Sequence, residues 1–160
     1  MQQGPWGTDP AADRPKLIAS PNVIFVVVLL PGLILNWFWS FAFLPRVASG
    51  IIGFFAIFIA ANIMAYAARE MVRANANVRE PATAIATEWP FSVSRNPYYG
   101  GMVLLGIGIA CFVNSIWVLI LTPVLALALQ KAVIEPEEAY LEQKFGETYL
   151  RYKARVRRWI

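Results

Sequence analysis

Residues 98–134 read YYGGMVLLGIGIACFVNSIWVLILTPVLALALQKAVI and carry a single charge, Lys131. As one helix, these 37 residues would reach about 55 Å, far beyond a hydrocarbon core of roughly 30 Å. The run must therefore turn back. Asn114-Ser115 is the only polar pair near its middle, which gives two spans near residues 101–113 and 116–134. The first is short, so it begins as early as Tyr98 or tilts little. A hairpin of this kind returns the residues before Tyr98 and those after Ile134 to one membrane face.

Two further apolar stretches precede it. Residues 23–44 contain Pro31 and Asn36 and would rise about 33 Å as a helix, enough to cross a bilayer. Residues 47–68 follow after only Pro45-Arg46, which predicts that these two spans are antiparallel neighbours. Hydrophobic residues make up 58% of the 160 positions and charged residues 15%, against about 25% charged in an ordinary soluble domain. The expected fold is an all-α integral membrane bundle of about four transmembrane helices plus an amphipathic C-terminal helix, as one domain over residues 21–160. Residues 1–20, with Gly4, Pro5, Gly7, Pro10 and Pro15, read as a mobile cytoplasmic arm.

Charge supplies the orientation. Arg69, Arg73, Arg79 and Arg95 lie between spans two and three, and Lys144, Arg151, Lys153, Arg155, Arg157 and Arg158 follow span four. Arg14 and Lys16 precede span one, whereas the opposite turns hold only Arg46. Basic residues mark the cytoplasmic side, so both termini are expected there. Trp37, Trp39 and Trp117 then fall at the outer interface, with Trp89, Tyr98, Tyr99 and Trp159 at the inner one. Asp9 and Asp13 precede the first span, whose apolar core is longer than a signal peptide's, so it is expected to remain uncleaved.

Inventory removes several chemistries. The chain has no histidine and one cysteine, Cys111, so a Ser-His-Asp triad, imidazole acid–base catalysis, a histidine-held metal and a thiolate cluster are all excluded. Gly106-Ile107-Gly108 lacks the third glycine of a dinucleotide loop and sits inside a span, where small residues serve helix packing. No P-loop is present.

The remaining polar residues gather on the cytoplasmic side. Arg95 either anchors that side or clamps a carboxylate or phosphate with its planar fork of donors. Asn96-Pro97 reads as a turn into the third span, with Pro97 at the first helical position and the free N–H groups of that turn directed at Arg95. Tyr98 and Tyr99 are either interface aromatics or faces for a bound cation. Glu137 and Glu138 follow Pro136, in the first turn of a new helix or just past a kink. Tyr140, Leu141, Phe145, Tyr149, Tyr152 and Val156 then recur at spacings of three to five, forming one aromatic face of a helix along the membrane. Lys153, Arg155, Arg157 and Arg158 suit anionic lipid headgroups rather than nucleic acid beside four spans.

The run Thr87-Glu88-Trp89-Pro90-Phe91-Ser92-Val93-Ser94-Arg95-Asn96-Pro97-Tyr98-Tyr99-Gly100-Gly101, followed by Ile134, Glu137-Glu138, Leu141, Phe145-Gly146, Tyr149, Tyr152 and Val156, resembles the isoprenylcysteine carboxyl methyltransferase family and its phospholipid methyltransferase relatives. The resemblance runs from about residue 77 to the end. It implies an integral membrane enzyme, without a Rossmann domain, that binds S-adenosylmethionine between its C-terminal spans and tail and uses no metal. By that resemblance, Arg95, Asn96, Pro97 and Tyr99 form one wall of the cofactor site, and Gly101 admits the ligand close to the backbone. Glu137 and Glu138 form the other wall, one binding ribose hydroxyls or the adenine edge and the other fixing Arg95. Phe145, Gly146, Tyr149 and Tyr152 shape a lid. Trp89 stands where the family often has glycine, which bears on that loop's backbone or substrate contact. Asn96 stands where eukaryotic members have histidine, which points to the bacterial branch and an inner-membrane location.

The implied reaction is methyl transfer to a lipophilic carboxylate, amine or thiol that enters from the bilayer. Arg95 would orient a carboxylate, and Glu138 would be the base for an amine or thiol. Two other readings stand beside it: a membrane NADPH-dependent reductase, and a small transporter or assembly factor using Asn36, Asn62 and Asn114 as polar helix contacts.

Overall fold

The computed structural model describes residues 18–76 and 87–159. The arm expected before residue 18, with Arg14 and Lys16, and also Arg79, lie outside the described residues. The elements are α1 (Pro21–Phe38), α2 (Arg46–Ala76), α3 (Pro97–Phe112), α4 (Ile116–Leu129), a π-helical turn (Gln130–Ile134), α5 (Glu135–Phe145) and α6 (Glu147–Arg155). No strand occurs among the described residues, as the all-α reading requires. Three helices, Pro21–Phe38, Arg46–Ala74 and Ile116–Phe145, are long and apolar enough to cross a membrane, and Pro97–Phe112 is a shorter apolar helix.

The hairpin of the long apolar run forms where its polar pair sits. Asn114 takes a left-handed backbone, φ 53°, which asparagine tolerates better than most residues. Ser115 caps α4 by accepting the Val118 N–H, a common role for serine ahead of an apolar helix.

The packing order differs from the chain order. α2 packs on α3, α3 on α4, and α4 on α1, so α1 and α2 are not the neighbours that their short connection predicted. α1 ends at Phe38, six residues short of the expected span, and residues 39–45 are non-helical. That connection crosses the end of the α3–α4 hairpin and is held there by polar groups. Asn114 Oδ1 accepts the N–H groups of Phe43 and Leu44 at 3.0 and 3.1 Å, and Asn114 Nδ2 donates to the Leu44 carbonyl at 2.7 Å. Ile116 N–H donates to the Phe41 carbonyl, and Trp117 Nε1–H to that of Trp39. Of the tryptophans expected at one interface, Trp39 and Trp117 thus meet at this end of the bundle.

Small residues set the helix contacts. A Cβ on Gly53 would fall 2.6 Å from Phe112 Cα, and one on Gly108 would fall 2.9 Å from Ile57 N, so α2 and α3 touch backbone to backbone. Ser49 adds a hydrogen bond to the Cys111 carbonyl across the same contact. Gly32 lets α1 approach the backbone of α4 at Val118 in the same way. Asn62 bonds within its own helix, to the Phe58 carbonyl. α2 runs to Ala76, well beyond the expected end at residue 68, and so carries Met71 and Ala74 to the level of the cleft described below.

Candidate functional site

The cleft is built on the end of the hairpin. Pro97 opens α3 at the first helical position, where its missing N–H costs nothing. Across from it, α4, the π-turn and α5 run on as one helix, Ile116–Phe145. Of the two positions expected for Glu137 and Glu138, they take the one just past an irregular turn within a helix and do not begin a new one. The break in regularity has a local cause. Pro136 has no N–H to give to the Ala132 carbonyl, which instead accepts the N–H of Ile18 at 3.2 Å. Glu135 N–H meanwhile reaches five residues back to Gln130. Such π-turns rotate the following residues relative to the helix before them, and here the residues that follow include Glu137 and Glu138 in the cleft lining.

Arg95, Asn96, Pro97, Tyr98, Tyr99, Glu137, Glu138, Tyr149 and Tyr152 all line one cleft, together with Phe91, Leu141, Met71 and Ala74. Its volume is about 140 Å³ and it is partly open to the surroundings. Sites for drug-sized ligands span roughly 300–1,000 Å³, so a nucleoside-sized ligand would have to extend through the mouth or widen it. Gly101 is not in the wall. A Cβ there would meet Met64 Cγ at 2.5 Å and the Ala60 carbonyl at 3.3 Å, so this glycine serves the α2–α3 contact instead of a ligand.

Glu138 is only 4% exposed, and a buried carboxylate must be paired. Arg158 Nη2 donates to its Oε2 at 2.8 Å and Arg158 Nε to its Oε1 at 3.2 Å. Asn96 Nδ2 adds a bond to Oε1 at 3.3 Å, and Arg95 Nη2 stands 3.4 Å from the same oxygen. The hydrogen bond to Glu138 holds the Arg158 guanidinium above its ordinary range. Glu137 accepts from the Tyr99 hydroxyl at 2.8 Å.

The Arg95 side chain is 9% exposed, yet its Nε and Nη1 have no hydrogen-bond partner. Buried guanidinium donors are rarely left so. Asn96, moreover, does not cap α3 with its side chain; its Nδ2 donates instead to Glu138 Oε1 and to the Arg158 carbonyl. The cleft therefore presents unpaired donors and a positive charge on one wall and a carboxylate on the other.

The aromatic tail face is split in two. Gly146, at φ 51°, ends α5 and starts α6, so the single amphipathic helix of the sequence reading is a pair of shorter ones. Leu141, Phe145 and Val156 pack around the buried Tyr149 and Tyr152, and the Tyr152 hydroxyl donates to the Phe91 carbonyl at 2.8 Å. Burial, and next to it the Glu138 charge, pushes the Tyr149 phenol up to about 12; burial also raises that of Tyr152.

A family model described as phospholipid methyltransferase matches residues 45–148, well over half of the chain. The chain belongs to the phospholipid methyltransferase family. The family is one of methyltransferases, and three of the described helices are long and apolar enough to cross a membrane. The match takes in Arg95, Asn96, Glu137 and Glu138 and stops just before Tyr149, Tyr152 and Arg158. An uncharacterized protein of Haemophilus influenzae is 53% identical over 34 residues, 21% of this chain and 54% of that protein; the chain thus spans about half the length of this curated relative. No solved structure matches this phospholipid methyltransferase family member.

Sequence reasoning missed Arg158. It was read with the other basic tail residues as a lipid contact, whereas its guanidinium is turned inward. An arginine two residues beyond Val156, the last position of the aromatic face, was the available signal, but an inward and an outward cation look alike in sequence.

Proposed function

We propose that this protein transfers a methyl group from S-adenosylmethionine to a lipophilic acceptor at the cytoplasmic face of the bacterial inner membrane, with both termini on that side. The observation that carries the reading is Arg95, buried with two donors unpaired in a cleft whose far wall bears Glu137. A zwitterionic nucleoside fits this donor set: Arg95 would take its carboxylate, and Glu137 its ribose hydroxyls or adenine edge.

When bound, the cofactor supplies an electrophilic methyl on a sulfonium sulfur. The chain's task is to hold donor and acceptor in line and to exclude water. Phe91, Leu141, Tyr149 and Tyr152 supply apolar and aromatic lining for that purpose. Met71 and Ala74 on α2 and Leu141 on α5 supply apolar lining of the cleft, and the side they form is the route we assign to an acceptor arriving from the bilayer. Glu138 suits the role of counter-ion better than that of base, since protonating it would give up charge-assisted bonds to Arg158. A carboxylate acceptor, already ionised at neutral pH, is accordingly the preferred substrate class. Arg151, Arg155 and Arg157, exposed on and after α6, are assigned to anionic lipid headgroups.

Titration calorimetry of the detergent-purified, folded protein with S-adenosylhomocysteine tests the cofactor assignment. Saturable binding is expected, and its absence would refute the reading.

A further inference from the structure

We propose that Arg158 is a positioning residue: by occupying Glu138 it keeps two N–H groups of Arg95 open for an anionic ligand. Only the identity of that ligand rests on the cofactor reading above.

A carboxylate and one guanidinium form their strongest pair as two parallel hydrogen bonds. Glu138 makes that pair with Arg158, through Nη2 at 2.8 Å and Nε at 3.2 Å. Arg95 reaches the same carboxylate with one nitrogen, at 3.4 Å, and its Nε and Nη1 remain unpaired. Arg158 also stands 3.6 Å from Glu135 Oε1, so its charge is met by two carboxylates, whereas Arg95 keeps two donors without a partner at the cleft.

The main chain fixes this division. Arg95 N–H donates to the Arg157 carbonyl at 2.8 Å, and the Arg158 carbonyl accepts from Ser94 Oγ and from Asn96 Nδ2, each at 3.2 Å. Trp159 Nε1–H donates to Gln130 Oε1 at 3.0 Å. The segment after α6 thus clasps the turn before α3 and the π-turn together, with Arg158 aimed at Glu138 between them. Arg158 does not itself line the cleft, so its removal deletes no lining contact. What its loss would change is the partner of Glu138: Arg95 would become the remaining strong donor and would turn its fork onto the carboxylate, closing the anion site.

The test uses the full chain in detergent with two readouts. The first is S-adenosylhomocysteine binding. Arg158→Ala is expected to weaken it by about 10- to 100-fold, the range of one or two charge-assisted hydrogen bonds, and Arg158→Lys to give an intermediate loss. The second needs no ligand: thermal unfolding followed by a thiol-reactive dye at the buried Cys111. A double-mutant cycle of Arg95→Gln and Glu138→Gln measures the coupling of that pair. The coupling should be small beside Arg158 and clearly larger in the Arg158→Ala background, with Arg158→Lys replacing it if the alanine variant shows no cooperative unfolding. Equal coupling in both backgrounds overturns the proposal whatever the ligand does. If the folded wild type binds no S-adenosylhomocysteine, the cofactor reading fails while the coupling still decides the role of Arg158.

Discussion

The Tyr99 hydroxyl donates to Glu137 Oε1 at 2.8 Å, joining the first turn of α3 to α5 across the mouth of the hairpin. Tyr99→Phe removes the donor but leaves the carboxylate in place. The expected cost is about 1–3 kcal/mol of stability, the penalty for a buried polar group that loses its partner. Tyr99→Phe combined with Glu137→Gln should recover part of it. Thermal unfolding of the three variants checks both statements.

Arg95→Ala removes the two unpaired donors along with the charge. Binding of S-adenosylhomocysteine should fall by about 10- to 100-fold or more. Arg95→Lys should recover little, because an ammonium cannot reproduce a planar fork. Calorimetry on each variant, with folding confirmed by the Cys111 dye transition, reads the difference.

Glycine substitutions separate packing from ligand contact. Gly53→Ala sets a methyl against the backbone of Phe112, whereas Gly101→Ala meets chiefly Met64 Cγ, part of a side chain that can turn aside, with the Ala60 carbonyl at 3.3 Å. The first should strongly reduce the yield of folded protein. The second should be tolerated with little change in ligand affinity, which would not hold if Gly101 touched the cofactor. Expression yield in detergent and binding by calorimetry distinguish them.

Because burial raises the Tyr149 phenol to about 12, its neutral form persists well past the ordinary tyrosine range near 10. Tyr149→Phe should therefore leave the tyrosinate absorbance that develops between about pH 9 and 11 unchanged. An ultraviolet titration of the two proteins checks it.

Much of this arrangement was legible in the chain. A charge-poor run too long for one crossing has to fold back at Asn114-Ser115, and that alone brings Arg95 opposite Glu137 and Glu138. The connection between α1 and α2 was not legible. Residues 39–44 read WSFAFL, which prolongs the hydrophobic signal of α1 although the backbone there is non-helical. Their true role depends on Asn114, some seventy residues away. The break at Gly146 was hidden because the aromatic spacing continues through it, and Gly101 looked like a ligand glycine because it follows the motif closely. Its neighbour is fixed by how α2 packs, and no local pattern records that.

The order in which the helices pack has a consequence for biogenesis. α1 leaves the ribosome well before the helix it packs against, since α4 begins roughly 80 residues later, a delay of several seconds at ~5–20 residues per second. Through that interval Gly32 and the side of α1 destined for α4 have no native partner. Lipid or the insertion machinery must shelter this surface until the hairpin arrives, and Asn114 can lock the crossing connection only then. Lengthening residues 39–45 should consequently slow assembly more than it weakens the finished bundle.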